Sequence, residues 1–528
     1  MIRQGVRRGI GSLTAVPMLL GVVIAVNLLA LFFFARLDIT DTREYSLSEA
    51  SKEMARALDD PVIARLYFSE DLPYPYNLNS RYLRDILYEY RAYSGRNLRF
   101  EFVDPVKTDR EVEARGMGIP AMQVNVIEKD KYELKKVYMG VAFLYEDKRE
   151  VIPFVQSRAN LEYELSSAIR KVTADSLPVV GFLTGHSENS FTTNLQIARQ
   201  ALQQLYEVQT VSITPGVLIP GDITTLVIAG PRDSVGQWDQ YAIDQFVMRG
   251  GHLGVFYDPV IADMQLQTAA STQANWLEFL RHYGMAVNEN LVLDAACSEI
   301  AVMEQQGLFT IQNRVRYPFI PNISDFNNEH LIGKDLQGVL LPFVSSLDSA
   351  AAQDAGLTFQ WICRSSERTG VRRAPYYVSA LQEFVQSQFT ESPQVLAAAV
   401  TGVFHSIFPT GPPLDPAADG TTPADHLSTS VPSRMVIVGD ADFCTDQAMR
   451  SPSNVSFFMN IVDWLTQDER LITIRSRNVT TRKLDEVSDA KRRTVKYANI
   501  FGPPLFVICV GLWRWQSRRR MKRGSQIT

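Results

Sequence analysis

Two short stretches hold the side chains best suited to chemistry. Thr184-Gly185-His186-Ser187-Glu188 sets an imidazole and a carboxylate two residues apart, directly after the apolar run Val179–Leu183. Asp440 and Asp442 follow a second apolar run, Arg434–Val438, in the same way. Groups that leave the carboxyl end of a core strand are well placed to meet a ligand in an open α/β sheet. The first pair suits proton transfer or ligand binding; the second suits a cation or a sugar. Each stretch also has a plainer reading. Gly185 permits a tight turn in which His186 and Glu188 bond locally, and aspartate is the ordinary residue of turns and helix caps. A metal centre needs a third ligand that the sequence does not identify.

Several chemistries are absent from the full sequence. There is no G-x-x-x-x-G-K-[ST] phosphate cradle, no G-x-S-x-G or G-x-C-x-G nucleophile turn, and no H-E-x-x-H. Cys297, Cys363, Cys444 and Cys509 are scattered without a C-x-x-C or Cys/His spacing, so they form neither a disulfide framework nor a zinc motif. Buried free thiols, or one bridge and a free thiol, remain open. No cofactor is expected.

The elements that must position these groups read as α/β. Ser48 opens a helix that stops at Asp59-Asp60-Pro61, and Val62–Phe68 is a strand. Leu83, Ile86, Leu87 and Tyr90 give one buried face to a helix over Asn79–Tyr93. Strands are expected at Leu98–Val103, Met122–Ile127 and Val137–Tyr145, then a helix over Arg158–Val172. A second unit opens at Leu177-Pro178. Strands at Val179–Leu183, Leu226–Ala229, His252–Tyr257 and Arg434–Val438 alternate with helices at Asn194–Leu205, Trp238–Met248 and Asn460–Thr466, which implies a doubly wound, mostly parallel sheet. Residues 300–400 signal weakly, and Pro409–Pro432 reads as an exposed mobile loop.

An apolar run lies near each end. Thr14–Ala35 is uncharged and long enough to cross a bilayer, and Ala498–Trp513 is shorter and Trp-flanked. Arg3, Arg7 and Arg8 precede the first; Arg518, Arg519, Arg520, Lys522 and Arg523 follow the second, with no acid among either set. That pattern puts both termini in the cytoplasm and the intervening body outside. The whole chain carries a net charge of −5. The body between these basic ends is therefore strongly acidic, which argues against nucleic acid as its ligand. Basic tails suit anionic lipid at the bilayer surface. In the first span Gly21 and Ala25 allow close approach of another helix, and Asn27, on a different face, seeks a polar partner.

Taken together, these stretches resemble the GldG-type auxiliary proteins of ABC transporters, known from the gliding-motility transporter. The resemblance rests on Tyr45-Ser46-Leu47-Ser48 after the first span, Gly140–Tyr145 with Ile152-Pro153-Phe154, and Leu161–Leu165 with Ala168–Lys171. It continues through Gly185–Glu188, Met248–Gly251, Val438–Phe443, Asn460 with Val462–Leu465, and the Pro503-Pro504 span. It implies a non-catalytic membrane component beside a separate ATPase and permease, with a flavodoxin-like, glutamine-amidotransferase-like central sheet lacking the catalytic cysteine. Such proteins usually read Gly-His-Gly-Glu where this chain has Gly-His-Ser-Glu.

The expected plan has four parts. Residues 1–36 are a cytoplasmic tail and first transmembrane helix, and 37–175 an extracytoplasmic α/β domain. Residues 176–480 form the amidotransferase-like domain with its loop at 409–432, and 481–528 the linker, second helix and basic tail. Gly185, His186, Glu188, Asp440 and Asp442 are the candidate ligand-binding residues. Partners would be an ABC ATPase, a permease and the inner-membrane bilayer, with a polysaccharide or other exported substrate. Two alternatives stand: an extracytoplasmic hydrolase or transferase using His186, Glu188, Asp440 and Asp442, and a tethered small-ligand sensor.

Overall fold

The structure is a computed structural model that describes residues 20–21, 46–74, 76–128, 131–155, 158, 161–306, 309–334, 336–413, 426–466, 472, 474 and 489–524. Ala25 and Asn27, most of the first apolar run, and residues 414–425 of the expected loop lie outside them. Two compact units divide at Thr480/Thr481.

In the first unit, helix α1 (Glu49–Arg56) starts where Ser48 accepts the Ser51 N–H as an N-cap. Strands β1 (Val62–Phe68) and β2 (Leu98–Val103) run parallel around helix α2 (Tyr76–Tyr93). Strand β3 (Met139–Tyr145) pairs antiparallel with β1, and β4 (Lys148–Ile152) closes the four-stranded order β2-β1-β3-β4. The expected strand over Val137–Tyr145 is broken at Tyr138; its first residue ends a separate hairpin, Met122–Glu128 with Lys131–Val137. Helix α3 (Leu161–Thr173) buries Leu161, Leu165, Ile169 and Val172 against this sheet.

The main sheet has eight strands. Its parallel part comprises β5 (Val179–Thr184), β6 (Glu207–Ser212), β7 (Ile223–Ala229) and β8 (His252–Phe256), and later β12 (Ser433–Val438). Before β12 come the antiparallel strands β9 (Asp325–Phe326), β10 (Thr358–Arg364) and β11 (Val395–Gly402). The spatial order is β9-β10-β11-β12-β8-β7-β5-β6. The five parallel strands thus follow the order 2-1-3-4-5, that of open doubly wound sheets of flavodoxin type, whose switch point lies between the first and third strands, here β5 and β7.

Alternation along these strands feeds two cores. Val180, Phe182, Val227, Val436 and Val438 face one side, with helices α4 (Gln196–Leu202) and α7 (Pro452–Leu465). Leu183, Leu226, Ile228, Val255 and Ile437 face the other, with α5 (Gln237–Met248) and α6 (Trp276–His282). Period-two burial on both faces is what a helix-covered parallel sheet requires. Residues 300–400, weak in sequence, supply the antiparallel edge and part of a long hairpin, Cys297–Gln306 with Phe309–Ile323. The flanks of the 409–432 segment are fastened: Ser406 N–H bonds Ser428 O and Ser430 N–H bonds Phe404 O. All four cysteines are free thiols.

The second unit contains helix α8 (Asp489–Gly524). Among the described residues no single helix is long and apolar enough to cross a membrane; the pair Lys491–Gly502 and Pro504–Trp513, bent by 41°, passes together by length and composition. The bend falls at Pro503-Pro504, where missing N–H donors and ring clashes distort the helix without ending it.

One glycine fixes how β12 ends. Gly439 N–H bonds Leu396 O at 3.0 Å and its carbonyl accepts from Ser345 N–H at 2.7 Å, so close that an added Cβ would collide with the Ser345 backbone. Gly439→Ala is expected to cost about 1–3 kcal/mol or more, as overpacking does, read as a lower urea midpoint. An unchanged midpoint would contradict this packing.

Candidate functional site

The loops that leave β5 and β7 flank the switch point, and backbone bonds draw them together. The His186 carbonyl accepts the N–H groups of Arg232 at 2.9 Å and Asp233 at 3.0 Å. Asn189 N–H bonds Ala229 O at 2.8 Å, and Gly230 N–H bonds Phe256 O at 2.8 Å. The crevice in which open sheets of this order take ligands is here crossed by the chain's own hydrogen bonds.

His186 is the centre of that seam. Its ring Nδ1 lies 3.1 Å from Glu188 Oε1 and its Nε2 2.9 Å from Asp239 Oδ2, in the first turn of α5. The second Glu188 oxygen accepts the His186 backbone N–H at 2.7 Å. The ring also meets Trp276 edge-on, with centroids 5.6 Å apart, and Trp276 Nε1–H bonds Asp233 O at 2.9 Å. An ionised carboxylate only accepts, so a ring held between two of them must donate from both nitrogens, which is the imidazolium form. The bond to Glu188 leads in raising the pKa of His186, burial opposes it, and Asp239 adds to the rise. Burial acts on Glu188 in the opposite sense, but the His186 donors outweigh it and its pKa is lowered.

Gly185 and Ser187 both have positive φ, +130° and +59°. Gly185 takes this freely. Ser187 holds a left-handed conformation that costs a side-chain-bearing residue roughly 1–2 kcal/mol, and its hydroxyl donates to Asp233 Oδ2 at 2.6 Å. The serine therefore keeps the backbone shape a glycine would give and adds a tie between the two loops.

Asp440 and Asp442 stand at the same carboxyl edge, but two strands lie between β5 and β12. At the usual strand spacing that is roughly 14 Å from His186. They join a different group. Asp440 is fully buried; its Oδ1 accepts the Asp442 N–H at 2.7 Å and its Oδ2 has no partner. Asp258, after β8, accepts the Ala441 N–H at 2.8 Å. Burial, then the charges of Asp258 and Asp442, push the Asp440 carboxyl well above the usual range. Burial raises the carboxyls of Asp258 and Asp442 as well, and the charge of Arg232 only partly offsets it. Among the described residues no three or more His, Cys, Asp or Glu side chains are grouped to hold a metal ion.

The structure thus brings Gly185, His186 and Glu188 into one cluster and Asp440 with Asp442 into another. The sequence reading missed Asp239, Arg232, Asp233, Asp258 and Trp276. Asp258 was within reach, because it follows a core strand just as His186 and Asp440 do. Asp239 carried no such mark.

A family model described as "ABC-type uncharacterized transport system" matches residues 177–466, and a domain of unknown function matches residues 41–144. The chain belongs to that transport-system family. The match spans the main sheet and both clusters, and it makes the protein an auxiliary component of a transport system. An uncharacterized protein of Borreliella burgdorferi is similar, 22% identical over 504 residues that cover 92% of this chain and 94% of that one. Two solved structures share weaker likeness. The mmIFT52 N-terminal domain matches with a TM-score of 0.33 and 15% identity, over 54% of this chain and 97% of that one. The exo-beta-1,4-mannosidase Op5Man5 from an Opitutaceae bacterium matches with a TM-score of 0.23 and 11% identity, over 72% and 48%. At these scores neither bears on fold or function.

The clamp has a defined pH window. A histidine with a raised folded pKa stabilises fully below its ordinary value of 6.5, and the contribution fades as pH rises through the raised value. A carboxylate with a lowered pKa stabilises above its ordinary value of 4.5 and loses that as pH falls through the lowered one. Glu188→Gln should therefore cost about 1–3 kcal/mol near pH 6 and less near pH 9, measured by urea unfolding at each pH. An equal cost at both would contradict a charged clamp.

Proposed function

We propose that this transport-system protein is a membrane-anchored, extracytoplasmic accessory subunit of the gliding-motility type, working beside a separate ABC ATPase and a permease. Its role is to contact the exported substrate or to couple outer parts of the machine, without chemistry of its own. The observation that carries this reading is the switch-point crevice stitched by the His186 carbonyl, inside a family match to a transport system. A hydrolase or transferase needs a base free to take a proton, and both ring nitrogens of His186 already face carboxylates. The missing phosphate cradle supports a separate ATPase.

Anchoring is supported by the apolar run Thr14–Ala35, the bent helix pair near the C-terminus and the basic residues outside each. In this reading residues 37–175 and 176–480 are the outer domains, both termini are cytoplasmic, and the membrane is the bacterial inner membrane. Gly185, His186, Glu188, Asp440 and Asp442 are then the residues offered to an exported substrate, such as a polysaccharide. Gly21, Ala25 and Asn27 are the contacts offered to permease helices. Among the described residues an added Cβ at Gly21 meets nothing within 4 Å.

Purification of the tagged full chain in mild detergent should recover an ATPase with a phosphate loop and a polytopic permease. Gly21→Leu or Asn27→Leu should reduce permease recovery severalfold while the outer body stays folded. Protease added to intact spheroplasts should digest the body and spare tags on both termini. Repeated recovery of neither partner, or protection of the body, would overturn the reading.

A further inference from the structure

Two stretches that carry the family resemblance, Ile152-Pro153-Phe154 and Leu161–Leu165, take no part in the carboxyl edge of the main sheet. They converge on a cavity of about 380 Å³, with Ser167 from α3 and Gln204 from beyond α4. That volume falls within the range of small-ligand pockets, roughly 300–1,000 Å³. The cavity sits at a seam. Helix α3 buries Leu165 and Ile169 in the core of the first sheet, while its Tyr163 packs against a core of the main sheet.

Glu164 and Ser167 are one turn apart and share a face of α3. Both expose an unmet need. Glu164 Oε2 and Ser167 Oγ are buried and have no hydrogen-bond partner among the described residues, and Ser167 is only 5% exposed. The nearby Lys171 is committed elsewhere. Lys171 Nζ bonds Glu150 Oε1, on the cavity wall, at 3.0 Å. Burial pushes the Glu164 carboxyl up to about 7. The rest of the wall is largely apolar, including Val151, Pro153, Phe154 and Ala168.

A buried acid and hydroxyl that lack donors, at the end of an apolar sleeve, define their complement. A cationic donor matches best, because a charged bond to a carboxylate is stronger than a neutral one and offsets the cost of ionising it under burial. We infer that this seam cavity is a binding site for an ammonium or guanidinium head on a short alkyl stem, seated on Glu164 and Ser167. The stem lies along Pro153 and Phe154. A free amine and a lysine or arginine side chain of a partner both present this chemistry. The inference does not depend on the transport reading.

Calorimetric titration of the full chain tests it with n-butylguanidinium and n-butylammonium, and with n-butanol as the uncharged control. A tripeptide, acetyl-Gly-Lys-Gly-amide, separates the sources: tighter binding than n-butylammonium favours a partner side chain, weaker binding a free amine. Either cation should bind and butanol should not. At pH 6, below the acid's titration, binding should release roughly one proton, falling toward none by pH 8.5, read from titrations in buffers of different ionisation enthalpy. Glu164→Gln should weaken binding on the order of tenfold or more and abolish the release, and Ser167→Ala should weaken it less. Thermal unfolding of Glu164→Gln at pH 6 checks that the variant is folded. No cation binding, butanol binding as well as the cations, or unchanged binding to folded Glu164→Gln overturns the site.

Discussion

The closure of the switch point by the His186 residue is the constraint on which the carboxyl edge of this protein depends. One peptide carbonyl takes two N–H donors from the loop after β7, and the same residue's ring is fixed between Glu188 and Asp239. Neither half would hold alone. The ring could not easily stay charged under burial without carboxylates beside it, and its bond to Glu188 helps to hold that carboxyl ionised against burial. Trp276, packed edge-on against the imidazole, shields the group from water. Loop, helix α5 and helix α6 are thereby locked to one another where a related open sheet would leave room for a ligand.

Other buried carboxylates likewise tie segments of the chain together by accepting hydrogen bonds. Asp244 receives the Tyr283 hydroxyl at 2.6 Å, the Ser406 hydroxyl at 2.8 Å and the Ile407 N–H at 3.0 Å, and so fastens the 404–408 segment to α5. Glu89 and Glu162 accept the N–H groups of Leu47 and Ser48, pinning the segment that follows the first apolar run. Asp463 accepts the Tyr206 hydroxyl at 2.6 Å. Among the described residues, Glu164 and Asp440 each keep a buried oxygen without a hydrogen-bond partner.

Much of the fold was legible because its signals are local. The apolar runs behind β5, β7, β8 and β12 needed no partner to be recognised, and Ser48 capped a helix as its type and position required. Strand β6 escaped notice because Glu-Val-Gln-Thr-Val-Ser is a polar edge strand with a single fully buried residue, Val211. Strands β9 to β11 escaped because their place depends on pairing across long stretches of chain. The site divides in the same way. His186, Glu188 and Gly185 announced themselves by adjacency to a strand, whereas Asp239 is 53 residues from His186 and only the sheet brings it there. The serine that departs from the family's glycine proved to keep the left-handed backbone and to bond Asp233.

The protonation state of the His186 ring tests the account most directly. Nitrogen-15 spectra of the full chain labelled at histidine, with His186→Asn to assign the signal, report whether each ring nitrogen carries a proton. The account predicts an imidazolium, protonated at both nitrogens, at pH 7 and still charged above the ordinary histidine value of 6.5. A neutral ring with one bare nitrogen at pH 7 would contradict the clamp and restore His186 as a base.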